Sequence, residues 1–303
     1  MDGVSLIVRP GEVVGVLGES GSGKSTLAQA ILRLLPPGGR IDRGTISFRG
    51  RNLLFQTDSE IAKIRGAELS LIFQEPSLAL HPTMQVGGQV AAVINAHERM
   101  SARERRERVR EVLAEVFADD VERILSSYPH QLSGGQRQRV LIAQAIACHP
   151  ALLIADEPTA SLDSTTQAEI LALFAKLRRR LGLAIVLITH NPALLAGFAD
   201  RVLVLYAGRV AEQGPGRSVL DSPLHPYSHG LLHSMPVLSD RTVSRRKKML
   251  PAIPGNLPLA ALPADACCFE PRCKDRMPQC ARVNPSGVRV THEHVVHCLK
   301  YTD

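Results

Sequence analysis

The sequence predicts an α/β protein: a mononucleotide-binding core, interrupted by a helical insertion and followed by an irregular, cysteine-bearing extension. Three observations carry that prediction. The apolar run Val13–Leu17 leads into Gly18-Glu19-Ser20-Gly21-Ser22-Gly23-Lys24-Ser25-Thr26, which fits G-x-x-x-x-G-K-[ST]. Further strongly apolar strands, Leu69–Phe73, Ala151–Ala155 and Ala184–Thr189, are separated by long helical stretches, which implies parallel pairing. From Gly214 onward prolines multiply, and from residue 267 onward lie five of the six cysteines.

Composition sets the bounds. A chain of 303 residues with 45% hydrophobic content can bury a sizeable core. No run approaches the roughly 18 to 20 apolar residues that cross a bilayer, and Met1–Ser5 lacks a signal-peptide pattern. The chain is therefore expected in the cytoplasm, and work at a membrane would need separate membrane-spanning partners. The net charge of +7 would permit binding to nucleic acid or to an anionic membrane surface. Aromatic residues make up only 4%, however, and the basic clusters Arg103–Arg110 and Arg178–Arg180 read as solvated helix faces. No nucleic-acid partner is expected.

In order along the chain, Val4–Val8 and Glu12–Leu17 read as strands joined by the turn Arg9-Pro10-Gly11. A helix should run from Lys24 to about Leu35, ended by Pro36-Pro37-Gly38-Gly39. A short strand near Thr45–Phe48 precedes the buried strand Leu69–Phe73, which ends at Gln74. From about residue 75 to 140 the pattern turns helical, with an amphipathic stretch at Val86–Glu98 and a highly charged one at Ala102–Phe117, and Ser133 is placed to cap a helix running to Cys148. The core resumes with the strand Ala151–Ala155, the acidic pair Asp156-Glu157, a loop through Asp163, a helix to about Leu181, and the strand Ala184–Thr189 ending at His190. The strands Arg201–Tyr206 and Arg209–Gln213 meet at Ala207-Gly208. A basic patch follows at Arg245–Lys248.

The strand ends carry the chemistry. Glycines at Gly18, Gly21 and Gly23 let loop amides turn around phosphate oxygens, and the helix that starts near Lys24 adds its positive N-terminal dipole. Lys24 would reach the β- and γ-phosphates, while Ser25 and Asp156 would ligate Mg²⁺. Glu157 would polarise the attacking water. Gln74 would sense the metal and water, and His190 would hydrogen-bond the γ-phosphate. Read singly, Gln74 and His190 are equally well ordinary polar residues at strand ends.

Taken together, Gly18–Thr26, Gln74, Leu132-Ser133-Gly134-Gly135-Gln136, Ile154–Pro158, Ser161-Leu162-Asp163 and His190 resemble an ABC-type ATP-binding cassette, in the same order. The resemblance implies a RecA-like mixed-sheet core with an inserted helical subdomain, ATP and Mg²⁺ as cofactors, and a head-to-tail pair of cassettes. In that arrangement Ser133, Gly134, Gly135 and Gln136 of one cassette cap the γ-phosphate on the P-loop of the other, and Asp163 links the two sites. Residues 1–235 would be the cassette, with the helical subdomain at about 75–140, and 236–303 the extension.

Ser127–Gln131, Leu224–Leu232, Ile253-Pro254-Gly255 and Cys268-Phe269-Glu270-Pro271-Arg272-Cys273 are similar to the cassettes of oligopeptide, dipeptide and nickel importers. That likeness implies an ATP hydrolase on the cytoplasmic face of the inner membrane. Its partners would be a second cassette, identical or paralogous, two integral membrane permease subunits and, indirectly, an extracytoplasmic solute-binding protein. The segment Gln74–Pro82 and the helical subdomain would form the groove for the permease's coupling helices. A soluble ABC ATPase acting on nucleic acid or ribosomes is the alternative, encouraged by the basic charge alone.

Cys268, Cys273, Cys280 and Cys298 are spaced C-x4-C-x6-C-x17-C, four thiolates that could hold an iron–sulfur cluster or tetrahedral zinc. Cys267 reads as the spectator, and His292, His294 and His297 are alternative zinc ligands. The importer resemblance implies a [4Fe-4S] cluster. Such cassettes usually begin with a further strand and an aromatic residue that stacks on adenine, and residues 1–17 contain no aromatic. The expectation is either a start lacking that N-terminal strand or adenine held without a ring.

Overall fold

The computed structural model describes residues 1–74, 79–234, 252–257 and 265–302. The basic patch Arg245–Lys248, residues 75–78 of the expected groove segment and the boundary at 235/236 lie outside the described residues. The chain divides into two compact units, one of Met1–Leu6, Val14–Lys24 and Thr189–Asp303, the other of Ile7–Val13 and Ser25–Ile188.

The second unit holds three parallel strands, β4 (Leu69–Ile72), β5 (Leu152–Asp156) and β6 (Ala184–Thr189). Leu69 pairs with Leu152 and Ile72 with Ala155, while Leu152 pairs with Ala184 and Asp156 with Ile188. Their near-continuous apolar sequence is that of strands covered on both faces. Helices Val86–His97, Ala102–Val116, Val121–Ser126 and Gly134–Ile146 form the insertion and pack on one another. Val109, Val112, Leu113 and Val116 recur at helical spacing on the buried face of Ala102–Val116. That helix opens with a capping box, in which Ser101 accepts from the Glu104 N–H and the Glu104 carboxylate accepts from the Ser101 N–H.

Two boundaries differ from expectation. The first helix, Lys24–Ile31, stops short of Leu35 because Arg33 adopts φ +52, a left-handed conformation that cannot continue a helix. The Arg33 guanidinium instead donates to the Leu53 and Gln56 carbonyls. The stretch Val4–Val8 forms no strand; it alternates between half-buried and exposed positions. Period-two alternation encodes half-burial, and here that is all it delivers.

The first unit is a mixed sheet. Strand β1 (Val13–Leu17) runs parallel to β7 (Arg201–Tyr206), which turns through Ala207-Gly208 into the antiparallel β8 (Arg209–Pro215). Both turn residues have positive φ, as a tight hairpin turn requires. The extension adds two short antiparallel strands at this edge, β10 (Val295–Val296) against β8 and β9 (Val288–Arg289) against β10. Buried Glu212 anchors it. Its carboxylate accepts from the N–H groups of Leu224 and His225 and lies 2.7 Å from His294 Nε2. Tyr206, Tyr227 and Phe269 pack as an aromatic trio with ring centroids 4.7 to 5.4 Å apart, joining β7, the helix Pro226–His233 and the extension.

Candidate functional site, a nucleotide-binding loop and its acidic counterpart

The phosphate loop leaves the end of β1 and is shaped by its glycines. Gly21 and Gly23 have φ +81 and +104, where side chains are strained, and a Cβ on Gly18 would collide with the Leu205 carbonyl and Ser22. The loop is also pinned by the β7–β8 turn, since the Gly208 N–H donates to the Ser22 carbonyl at 2.8 Å. Lys24 is buried, and its ammonium donates to the carbonyls of Gly18 and Glu19 at 2.9 and 3.0 Å. It therefore lies folded along the loop it should serve. Ser25 and Thr26 follow in the first helical turn, both exposed. His190, also in the first unit, is exposed just beyond β6.

The second unit gathers the acidic groups. Asp156 closes β5 and is buried, and Glu157 follows at φ +48 with its N–H donating to the Ile188 carbonyl at 2.9 Å. A left-handed backbone at a residue that is not glycine is stored strain, which clusters where function fixes the geometry. Gln74 lies two residues past β4 and is exposed, so the parallel register brings Gln74, Asp156 and Glu157 to one strand-end edge.

The Ser133 signature starts the helix Gly134–Ile146 with another capping box. Ser133 Oγ accepts from the Gln136 N–H at 3.2 Å and Gln136 Oε1 accepts from the Ser133 N–H at 3.1 Å. Ser133 and Gly134 stay exposed. Asp163 caps the helix Ser164–Leu181, accepting from the Thr166 N–H at 3.0 Å and its hydroxyl at 2.7 Å. Those bonds hold its carboxyl below the ordinary range. The two motifs touch: a Cβ on Gly135 would come within 2.7 Å of the Thr166 methyl, and one on Gly134 within 3.4 Å of Leu162.

The oxygen donors fit Mg²⁺. An exposed Ser25 hydroxyl at a helix start and a buried strand-end carboxylate at Asp156 are the hard ligands it takes.

Among the described residues no three His, Cys, Asp or Glu side chains group as a metal centre. Burial pushes the Cys268 thiol up to about 12 and the Cys273 thiol up to about 11. Cys267 and Cys268 line a cavity of about 230 Å³ with Tyr206, Arg209, His225 and His297. The Cys267 N–H donates to the Cys280 carbonyl at 2.9 Å. Of the alternative zinc ligands, His294 is already engaged by Glu212, His292 is exposed, and the backbone N–H of His297 pairs with the Ala211 carbonyl.

Two residues at the phosphate loop were not legible in advance. Tyr227 OH accepts from the Glu19 N–H at 2.9 Å, and Arg272 Nη1 donates to Glu19 Oε2 at 3.0 Å. Both lie in motifs that served only to mark the subfamily, Leu224–Leu232 and Cys268–Cys273. Arg272 lies 253 residues along the chain from the Glu19 it contacts, and such a pairing leaves no periodic signal in the sequence.

Comparison with known proteins agrees with this geometry. The ABC transporter family profile matches residues 1–160, and that of the oligopeptide/dipeptide transporter C-terminal region matches 211–280. A putative peptide import ATP-binding protein of Brucella ovis is 43% identical over 99% of this chain and 91% of its own length. The dipeptide transport ATP-binding protein DppD of Bacillus subtilis is 42% identical over 98% and 87%, and the oligopeptide transport ATP-binding protein OppD of Escherichia coli 44% over 93% and 82%. Among solved structures, a dimeric post-hydrolysis form of the ATP-binding cassette MJ0796 with ADP and Pi matches with TM-score 0.61 and 35% identity, covering 70% of this chain and 88% of that one. The cassette cbiO1 of Clostridium perfringens, part of the complex cbiONQ, matches with TM-score 0.63 and 31% identity over 73% and 83%. The fold is that of an ATP-binding cassette, and the chain belongs to the ABC transporter family, carrying the C-terminal region of its oligopeptide/dipeptide transporters.

Proposed function

We propose that this chain is the ATP-hydrolysing subunit of a peptide importer, working at the cytoplasmic face of the inner membrane with two permease subunits and a facing cassette. The observation that carries it is the joint occurrence of the phosphate loop Gly18–Thr26, the strand-end pair Asp156-Glu157 and a C-terminal region matching that of oligopeptide/dipeptide transporters. Among the described residues no helix is long and apolar enough to cross a membrane, so passage of the solute falls to partner chains. Nickel and related small solutes remain within the same chemistry, because a cassette touches the permease rather than the cargo. The family match runs to transport proteins, which disfavours action on nucleic acid or ribosomes.

On this reading Lys24 leaves the Gly18 and Glu19 carbonyls for the β- and γ-phosphates of ATP, trading two backbone acceptors for anionic oxygens. Ser20, Gly21, Ser22 and Gly23 line the polyphosphate, and Thr26 continues the helix that points its N-terminus there. Ser25, Asp156 and Gln74 would hold Mg²⁺, which would supply positive charge against the transferred phosphoryl group. Glu157 orients and polarises the attacking water, and His190 donates to the γ-phosphate. Ser133, Gly134, Gly135 and Gln136 of the facing cassette close the site, and the Asp163–Thr166–Gly135 contact links loop to signature within each chain.

The exposed Phe73 and Met84 flank the segment proposed as the permease groove. Residues 1–235 act as the cassette, with its helical subdomain at about 75–140, and 236–303 as an appended extension. An iron–sulfur cluster or zinc on that extension is supported only by the number and spacing of its cysteines, and no step is routed through it. In membranes from cells expressing the full transporter, this chain should co-purify with the permease. Lys24→Ala should cut ATP turnover about 100-fold or more. Recovery with ribosomes or DNA and not with membranes, or unchanged turnover in Lys24→Ala, overturns the proposal.

A further inference from the structure

The extension reaches into the phosphate loop through one side chain. Arg272 ends the turn Glu270–Arg272 and is only 8% exposed. Its Nη1 donates to Glu19 Oε2 at 3.0 Å and to the Tyr206 hydroxyl at 3.4 Å, its Nε to the Pro254 carbonyl at 2.8 Å, and its Nη2 to the Gly255 carbonyl at 3.2 Å. The guanidinium also lies over the Tyr206 ring, 5.7 Å from its centroid. Glu19 is held from three directions: carboxylate by Arg272, N–H by Tyr227 OH, carbonyl by Lys24 Nζ. Among the described residues, its second carboxylate oxygen, Oε1, is buried and accepts no hydrogen bond, and Arg272 is the cation paired with the carboxylate. Leu257, beside the Pro254-Gly255 segment, closes over the same loop, within 3.3 Å of a Cβ placed on Gly21.

A carboxylate inside a loop that binds a polyanion opposes its ligand, and partial burial strengthens the effect by lowering the local dielectric. A fork-shaped, permanently charged guanidinium is the side chain suited to cancel it. We propose that Arg272 is a positioning residue for ATP, neutralising the Glu19 carboxylate and fixing the loop segment that holds Lys24. The extension is thereby part of the nucleotide site. The proposal rests on the reading of Gly18–Thr26 as the ATP loop.

The test is a charge-compensation cycle on the full chain in its assembled transporter, reading KM for ATP, kcat and thermal midpoint. Arg272→Gln leaves the Glu19 charge bare and should raise KM about tenfold with kcat little changed, the pattern of lost uniform binding. Arg272→Gln combined with Glu19→Gln removes both charges and should return KM to within about threefold of wild type. The thermal midpoint stays lowered there, because the Pro254 and Gly255 carbonyls remain without their donor. Glu19→Gln alone should hold KM at or below the wild-type value. If Arg272→Gln does not fold, Arg272→Lys, which keeps the cation, should show a near-normal KM with a lowered midpoint. A normal KM in Arg272→Gln, a double variant no better than Arg272→Gln, or a tenfold rise in Glu19→Gln alone overturns the proposal. Lys24→Ala measured alongside separates the two readings. Unimpaired ATP binding there removes the loop assignment itself, whereas lost binding there beside a normal KM in Arg272→Gln removes only the role of Arg272.

Discussion

Glu157 is the residue where stability and chemistry pull apart. Its φ of +48 places an L side chain in the left-handed region, which costs on the order of 1 kcal/mol relative to a relaxed backbone. The N–H to Ile188 carbonyl bond holds it there, directly after the buried Asp156. Comparing Glu157→Gly with Glu157→Ala isolates that strain, since both remove the carboxylate and should equally abolish turnover. At an ordinary helix or strand position alanine is the more stabilising of the two by about 0.5 to 1 kcal/mol. At 157 the order should reverse, with the glycine variant about 1 kcal/mol more stable in urea unfolding. An alanine variant as stable as the glycine one, or more so, would show that the backbone is not strained by its side chain.

At the scale of elements, the helix Pro226–His233 illustrates a cap that is also a titrating group. His225 precedes it, and its Nδ1 accepts from the Tyr227 N–H at 3.0 Å, which requires that nitrogen to be unprotonated. Burial, aided by the neighbouring His297, pushes His225 down to about 3. An unfolded histidine titrates near 6.5. Between those values the unfolded chain binds a proton that the folded chain refuses, so stability falls as pH drops, approaching about 1.4 kcal/mol per pH unit. Asparagine would keep a cap acceptor without the titration. Wild type should therefore lose about 2 kcal/mol more than His225→Asn between pH 6.5 and 5 in urea unfolding, and parallel profiles for the two proteins would refute the assignment.

Legibility in the sequence followed the same scale. The phosphate loop, the strands read at Ala151–Ala155 and Ala184–Thr189, and the capped start at Ser133 could be read because each is encoded within a few neighbouring residues: glycines, an apolar run, a serine with Gln three positions on. The strands β9 and β10 could not, being two residues long and existing only because Val295 and Val296 find Gln213 and Glu212 across the fold. The Arg272–Glu19 pair is likewise tertiary, as is the closing of Lys24 onto its own loop. The cysteine spacing was legible as a pattern but carries no geometry, because spacing records which thiols lie near in sequence and not how the fold arranges them.

For the whole molecule, the decisive feature is that the signature is assembled and capped within the chain yet left exposed. Ser133 spends its side chain on the Gln136 N–H, while Gly134 and Gly135 lie against Leu162 and Thr166 of the Asp163 loop. A glycine-faced helix start presented to solvent can receive an anion, and on the proposed reading a facing cassette's ATP supplies it. Slowing hydrolysis should then convert a transient encounter into a stable pair, because ATP bound between two surfaces stabilises the state that holds it. Glu157→Gln keeps the shape of the side chain and removes the charge proposed to polarise water, so turnover should fall by about 100-fold or more. With ATP and Mg²⁺ the variant should elute from size exclusion as a pair of cassettes, alone if the same chain fills both places and otherwise when co-expressed with its transporter's second cassette. Adding Ser133→Arg to Glu157→Gln should return it to the single-chain position, since a bulky cation cannot enter the space over the γ-phosphate. A double variant that still pairs, or a Glu157→Gln protein that binds ATP yet elutes as one chain in every combination, would place the signature outside the nucleotide site.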